Sequence, residues 1–168
     1  MRLKQQRENV FVLGGNPGFV NADAIRLLKQ KAEASPLKRA RICLHKGADE
    51  PIHEMLIVLA RGVYIRPHRH HGKTESFHLI EGRATAIFFD PRGKVVHRHQ
   101  LSRSRGAAFL YRIRRPVFHT QIVESPFLVF YEVTRGPFRK QDTEFAPWAP
   151  PEDSGKAVQE FLAGLKGR

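Results

Sequence analysis

Between residues 39 and 134 the chain is a succession of short β-branched and aromatic segments divided by turn residues, with no helical pattern between them. Nine of these segments read as strands, near 39–45, 53–60, 62–68, 74–81, 83–89, 94–101, 107–114, 117–124 and 127–134. Strands that follow one another without crossover helices pair antiparallel, and this many of them form a sandwich or barrel. Asp90-Pro91-Arg92-Gly93 marks one hairpin, with Pro second and Gly fourth in a type I turn. The fold class expected is all-β.

The flanks read differently. Residues 1–20 are irregular, with a turn-rich Gly14-Gly15-Asn16-Pro17-Gly18. Asn21 reads as an N-cap and Asp23 falls in the first turn of a short helix. Ile25, Leu28 and Ala32 form its apolar stripe, and Ser35-Pro36 ends it. Residues 136–153 contain Pro137, Pro147, Pro150 and Pro151, so they read as a loop or arm rather than a sheet strand. A second short helix is expected near 154–165, where Val158, Phe161, Leu162 and Leu165 share one face. The organisation is one domain: an N-terminal arm and helix over 1–38, a barrel over 39–135, and a Pro-rich segment with a C-terminal helix packed on it over 136–168.

At 168 residues the chain is long enough to bury a real core. Its single cysteine, Cys43, lies between apolar neighbours and reads as a buried, inert thiol. The N-terminus starts basic but has no apolar stretch of a secretory signal, and the longest apolar run, Met55 to Ala60, is far too short to span a membrane. The location expected is the cytoplasm. The formal charge of +13 comes from 29 Lys and Arg against 16 Asp and Glu. These basic residues are spread through every segment and form no long arm or aromatic-interleaved module. Nucleic-acid binding therefore ranks last; a basic, solvated surface is the favoured reading of the charge, and an electrostatic funnel for a small anionic partner the sharper one.

The chemistry is concentrated in Gly62 to Gly82, GVYIRPHRHHGKTESFHLIEG. Strand residues alternate faces, so His68 and His70 share a side, with Tyr64 and Arg66. After a turn at His71-Gly72-Lys73, Glu75 and Phe77 share a face of the next strand. If that strand folds back on the first, two imidazoles and a carboxylate converge, a donor set suited to a divalent transition metal. A fourth ligand is expected from a strand remote in sequence, and His119, just after Pro116, is the candidate. The other histidines, His45, His53, His71, His78, His97 and His99, read as surface or satisfied residues.

The same run fills the first cupin motif, G-x5-H-x-H-x4-E-x6-G, at Gly62, His68, His70, Glu75 and Gly82. The second cupin motif is met only in part: Gly106 lies too far upstream, Pro116 stands three residues before His119, and the asparagine is absent. The chain also resembles the WbuC-type cupins through residues 41–45, 53–58, 64–70, 75–78, Gly136-Pro137-Phe138 and the tail 145–150, over roughly residues 39–151. The resemblance implies a double-stranded β-helix, the cupin jelly-roll barrel, with a metal site and a homodimer.

The lining of such a site decides its chemistry. By parity Tyr64, Arg66, Phe77 and Gln121 share the cavity with the metal. Tyr64 offers a phenol for proton transfer, and Arg66 a fork for a carboxylate or phosphate. Phe77 and Gln121 complete the substrate-binding set, and Glu132 is a second candidate catalytic group. The cofactor is one divalent ion: iron, manganese, nickel, cobalt or zinc. The leading function is a metal-dependent isomerase or epimerase acting on a small anionic sugar, nucleotide-sugar or keto acid. An iron-dependent dioxygenase and a non-catalytic metal- or metabolite-binding cupin are the alternatives.

Overall fold

A computed structural model describes residues 2–166. Two sheets face one another. The larger has the order β1-β2-β3-β4-β11-β6-β9 and the smaller β12-β5-β10-β7-β8. In chain order the strands are β1 Arg2–Arg7, β2 Val10–Gly14, β3 Arg39–Cys43, β4 Ile52–Ala60, β5 His68–His70, β6 Glu75–Glu81, β7 Ala84–Phe89, β8 Val95–Leu101, β9 Leu110–Ile113, β10 Phe118–Val123, β11 Phe127–Arg135 and β12 Thr143–Phe145. The inner faces bury Leu59, Phe77, Leu79, Ala84, Ala86 and Leu128 between them. This is the jelly roll expected, with its two short helices outside.

Helix α1, Ala22–Ala34, covers the outside of the larger sheet. The Asn21 side chain accepts from the Ala24 backbone N–H at 3.2 Å, and the extended Ser35 closes the last turn. Ala24, Leu28 and Ala32 are fully buried against Ala40, Ile42, Leu56 and Val58. Helix α2, Gly155–Lys166, covers the smaller sheet, setting Leu165 and Phe161 on Ile87, Phe89 and Phe118. Trp148 is sandwiched there, its ring centroid 4.9 Å from Phe89 and 6.2 Å from Phe161.

Three sequence expectations fail. Within the segment expected to be irregular, β1 and β2 form a hairpin and β2 pairs parallel with β3, while 15–20 are irregular as expected. β1 is an exposed edge built from long polar side chains, which carry little strand signal. The Asn9 side chain ties its turn down by donating to the Arg39 carbonyl at 2.8 Å. The strand expected over 62–68 shrinks to β5, because Pro67 has no N–H to give a ladder. Finally, the Pro-rich segment does contain a strand. β12 lies between its prolines and pairs with β5 at the sheet edge, where proline neighbours are tolerated.

Gly82 ends β6 with φ +96°, and a Cβ there would stand 2.2 Å from the Phe127 carbonyl. The motif glycine is thus required twice, for its backbone conformation and for the close approach of β11. No helix among the described residues is long and apolar enough to cross a membrane.

Candidate metal centre

His68 and His119 stand directly opposite one another in the β5–β10 pairing, and His70 follows on the same side of β5. Glu75 is the first residue of β6, which belongs to the other sheet. The sequence reading had Glu75 folding back beside the histidines on a neighbouring strand. Instead the turn at 71–74 crosses between the sheets, and the four side chains meet across the barrel. The ring centroids of His68 lie 4.9 Å from His70 and 4.6 Å from His119. His70 Nε2 is 3.2 Å and His119 Nε2 3.6 Å from the Glu75 carboxyl oxygens.

The outer nitrogens are fixed. His68 Nδ1–H donates to the Arg66 carbonyl at 2.9 Å and His119 Nδ1–H to the Val117 carbonyl at 3.0 Å. A carbonyl only accepts, so in both rings Nδ1 carries the proton and Nε2 keeps its lone pair. His70 Nδ1 meets the Thr143 hydroxyl of β12 at 3.0 Å. Metal-ligating histidines are held in this way, the far nitrogen bonded and the near one free.

Electrostatics agree. Burial pulls His119 down to about 3 and His70 to about 4, and lowers His68 as well, so all three rings are neutral at physiological pH. Burial, then the nearby Glu132, push Glu75 up to about 8 against the pull of Lys73. Burial pushes Glu132 up to about 7. Among the described residues no group of three or more His, Cys, Asp or Glu side chains stands, as placed, in a geometry that could hold a metal ion. Glu75 rests against the imidazoles, and at neutral pH it retains a proton. Three neutral imidazoles and a carboxyl suit a borderline divalent ion, whose binding would release that proton.

These residues line a cavity of about 610 Å³. Phe77, Gln121 and Arg66 line it too, as parity expected, and so does Glu132. The Phe77 ring stacks between Phe130 and Tyr111, at 4.2 and 5.0 Å. Gln121 Nε2 donates to the Tyr111 hydroxyl at 2.8 Å. Arg66 donates to the Ala146 carbonyl at 3.1 Å and lies over the Phe145 ring, 5.3 Å from its centroid.

Tyr64 is a correction. Its hydroxyl donates to the Pro150 carbonyl at 2.8 Å and its ring meets Phe161, away from the cavity. Parity misplaced it because residues 62–67 are not a regular strand. Burial raises its phenol to about 12, which further removes it from acid–base work. The phenol at the cavity is Tyr111, missed in the sequence. It sits opposite Phe77 in the β6–β9 pairing, so parity would have found it once that pairing was known. Arg39 and Arg41 of β3 also line the mouth and were read only as surface charge.

The fold has counterparts of known structure. Protein SO0799 from Shewanella oneidensis superposes with a TM-score of 0.57 over 76% of this chain and 85% of that one, at 14% identity. An oxalate oxidase in complex with the substrate analogue glycolate superposes with a TM-score of 0.52 over 79% of this chain and 68% of that one, at 15% identity. At these identities the likeness is one of fold, and the protein has the cupin fold. In sequence, residues 20–101 match a family described as a domain of unknown function, DUF6016. No curated protein sequence matches the chain.

Proposed function

We propose that this is a metal-dependent enzyme acting on a small anionic, oxygen-rich molecule, with one divalent transition ion held by His68, His70, Glu75 and His119. One observation carries the reading. Three imidazoles cluster with their far nitrogens bonded outward, and two of them, His70 and His119, turn their near nitrogens toward the Glu75 carboxyl. The partial resemblance to the WbuC-type cupins supports the same site, and it is the source of the homodimer expectation, which light scattering would decide.

When bound, the ion supplies a Lewis acid able to polarise a substrate carbonyl or hydroxyl. The chain supplies the rest. Glu132 projects into the cavity from β11, opposite Phe77. Its carboxyl, poised near 7, both accepts and returns a proton at physiological pH, as isomerisation or epimerisation requires. The Phe77–Phe130–Tyr111 wall excludes water from one side. Arg66, tied to Ala146 and Phe145, is a rigid rim group for an anion.

The test is a panel of sugars, nucleotide-sugars and keto acids offered in D2O to metal-reconstituted protein. Exchange of a substrate C–H for deuterium, abolished in Glu132→Gln with metal content unchanged, supports the proposal. Oxygen uptake with iron alone would favour the dioxygenase. Metal binding with no turnover of any panel member would favour a binding-only cupin.

A further inference from the structure

The mouth of the cavity carries a cation that the metal centre leaves unused. Along β3, Ala40 and Ile42 face α1, while Arg39 and Arg41 face the cavity. Arg39 is occupied by a two-pronged pair with Glu152, at 3.2 Å for each prong. Arg66 gives one N–H to the Ala146 carbonyl and lies over the Phe145 ring, with its Nε buried and unpartnered, so it stands as a rim cation beside Arg41. Arg41 is exposed and, among the described residues, forms no ion pair. Its neighbours include the Cys43 thiol, His45 and, two strands over on the same sheet, the Glu132 carboxyl.

At the inner end an acceptor is unused. Gln121 is 7% exposed, and its amide N–H is committed to Tyr111. Its Oε1 is buried with no partner. Buried polar atoms without a protein partner are rare, and the Gln121 side chain lines the cavity. Between the two ends runs an apolar floor: Arg41 lies opposite Ile57, and Ile57 opposite Phe130. That row runs from β3 across β4 to β11, two strand spacings or about 10 Å, and Gln121 lines the same cavity from β10 of the smaller sheet.

We propose that the cavity selects an extended, hydroxyl-bearing organic anion, with its single anionic group on Arg41 and a hydroxyl donating to Gln121 Oε1. The inference rests on the cavity being the ligand site of the proposed function, and needs no metal.

Sorbitol 6-phosphate and n-hexyl phosphate test it by calorimetric titration of the full chain, once treated with EDTA and once loaded with manganese. Both probes carry a phosphate on six carbons. Only the first has hydroxyls along its length, so one can meet Gln121 in any extended pose. The expected result is about tenfold tighter binding of sorbitol 6-phosphate. Gln121→Leu should erase that preference without changing hexyl phosphate. Tyr111→Phe, a milder change that frees the amide, should reduce it. Arg41→Met, at an exposed position, should weaken both probes about tenfold and flatten their salt dependence. A wild type that binds neither probe, or both equally, overturns the proposal. So does an Arg41→Met variant that binds like wild type. A chain that takes up no manganese yet keeps both effects upholds this inference and contradicts the metal centre alone.

Discussion

His68 and His119 occupy facing positions on adjacent antiparallel strands, β5 and β10, with ring centroids 4.6 Å apart. The pairing of two strands remote in sequence thus places half of the proposed ligand set. Each ring is then aimed by its own backbone, through a carbonyl two residues earlier. The site is built into the ladder rather than hung on loops, so its geometry should survive loss of the ion.

The third histidine depends on a segment outside the central barrel strands. His70 Nδ1 meets the Thr143 hydroxyl of β12. Thr143→Val keeps the shape and removes that bond. Metal affinity should fall about 10- to 100-fold, as when other outer partners of metal-bound histidines are lost. Competition with a chromogenic chelator would measure it, and an unchanged affinity would show that β12 plays no part in the site.

Stability without metal should depend on pH in a defined way. Glu75 and Glu132 have ordinary values of 4.5, raised in the folded chain to about 8 and about 7. The folded state therefore binds more protons than the unfolded one, so their contribution is complete below 4.5 and lost as pH rises through 7 to 8. The three histidines act oppositely, since their folded values lie below the ordinary 6.5. Their contribution is present above 6.5 and lost as pH falls toward 4 and 3. In EDTA, thermal melts should peak near pH 6.5 and decline to pH 8.5. Glu75→Gln should flatten the alkaline limb.

The outer layer makes its own prediction. Leu28 is fully buried between α1 and the larger sheet. Leu28→Ala should cost about 2–5 kcal/mol, while metal stoichiometry in the folded fraction stays the same. Urea unfolding with parallel metal analysis separates the two effects.

Gly82→Ala should be worse tolerated than its size suggests. The residue has φ +96°, and the new methyl would meet the Phe127 carbonyl at 2.2 Å. The backbone conformation alone costs about 1–3 kcal/mol for a non-glycine residue, so a clear drop in Tm or in soluble yield is expected. A melt within a degree of wild type would mean that β11 yields more readily than the contact implies.

The regular parts of the fold were legible because period and punctuation coincide there. The Asp90–Gly93 turn, the Asn21 cap and the apolar run of β4 each have a local cause, and each stands where expected. The convergence of His68, His70, Glu75 and His119 was legible from spacing. What was not legible depends on partners remote in sequence. β1 and β12 are edge strands whose pairing, not composition, makes them strands. Tyr64 and Tyr111 exchanged expected places for the same reason: parity holds only within a regular strand, and only once its neighbours are known. The crossing of the 71–74 turn between sheets is likewise a property of the closed barrel, invisible in a local pattern.

The central claim is best tested by elemental analysis of the purified, untagged protein beside a Glu75→Ala, His119→Ala double variant, both grown with ample metal. The account predicts about one divalent transition ion per wild-type chain and almost none in the variant, with both chains folded by circular dichroism. Equal metal in the two, or none in either, would contradict the four-ligand centre and leave a cupin barrel whose cavity works without a metal.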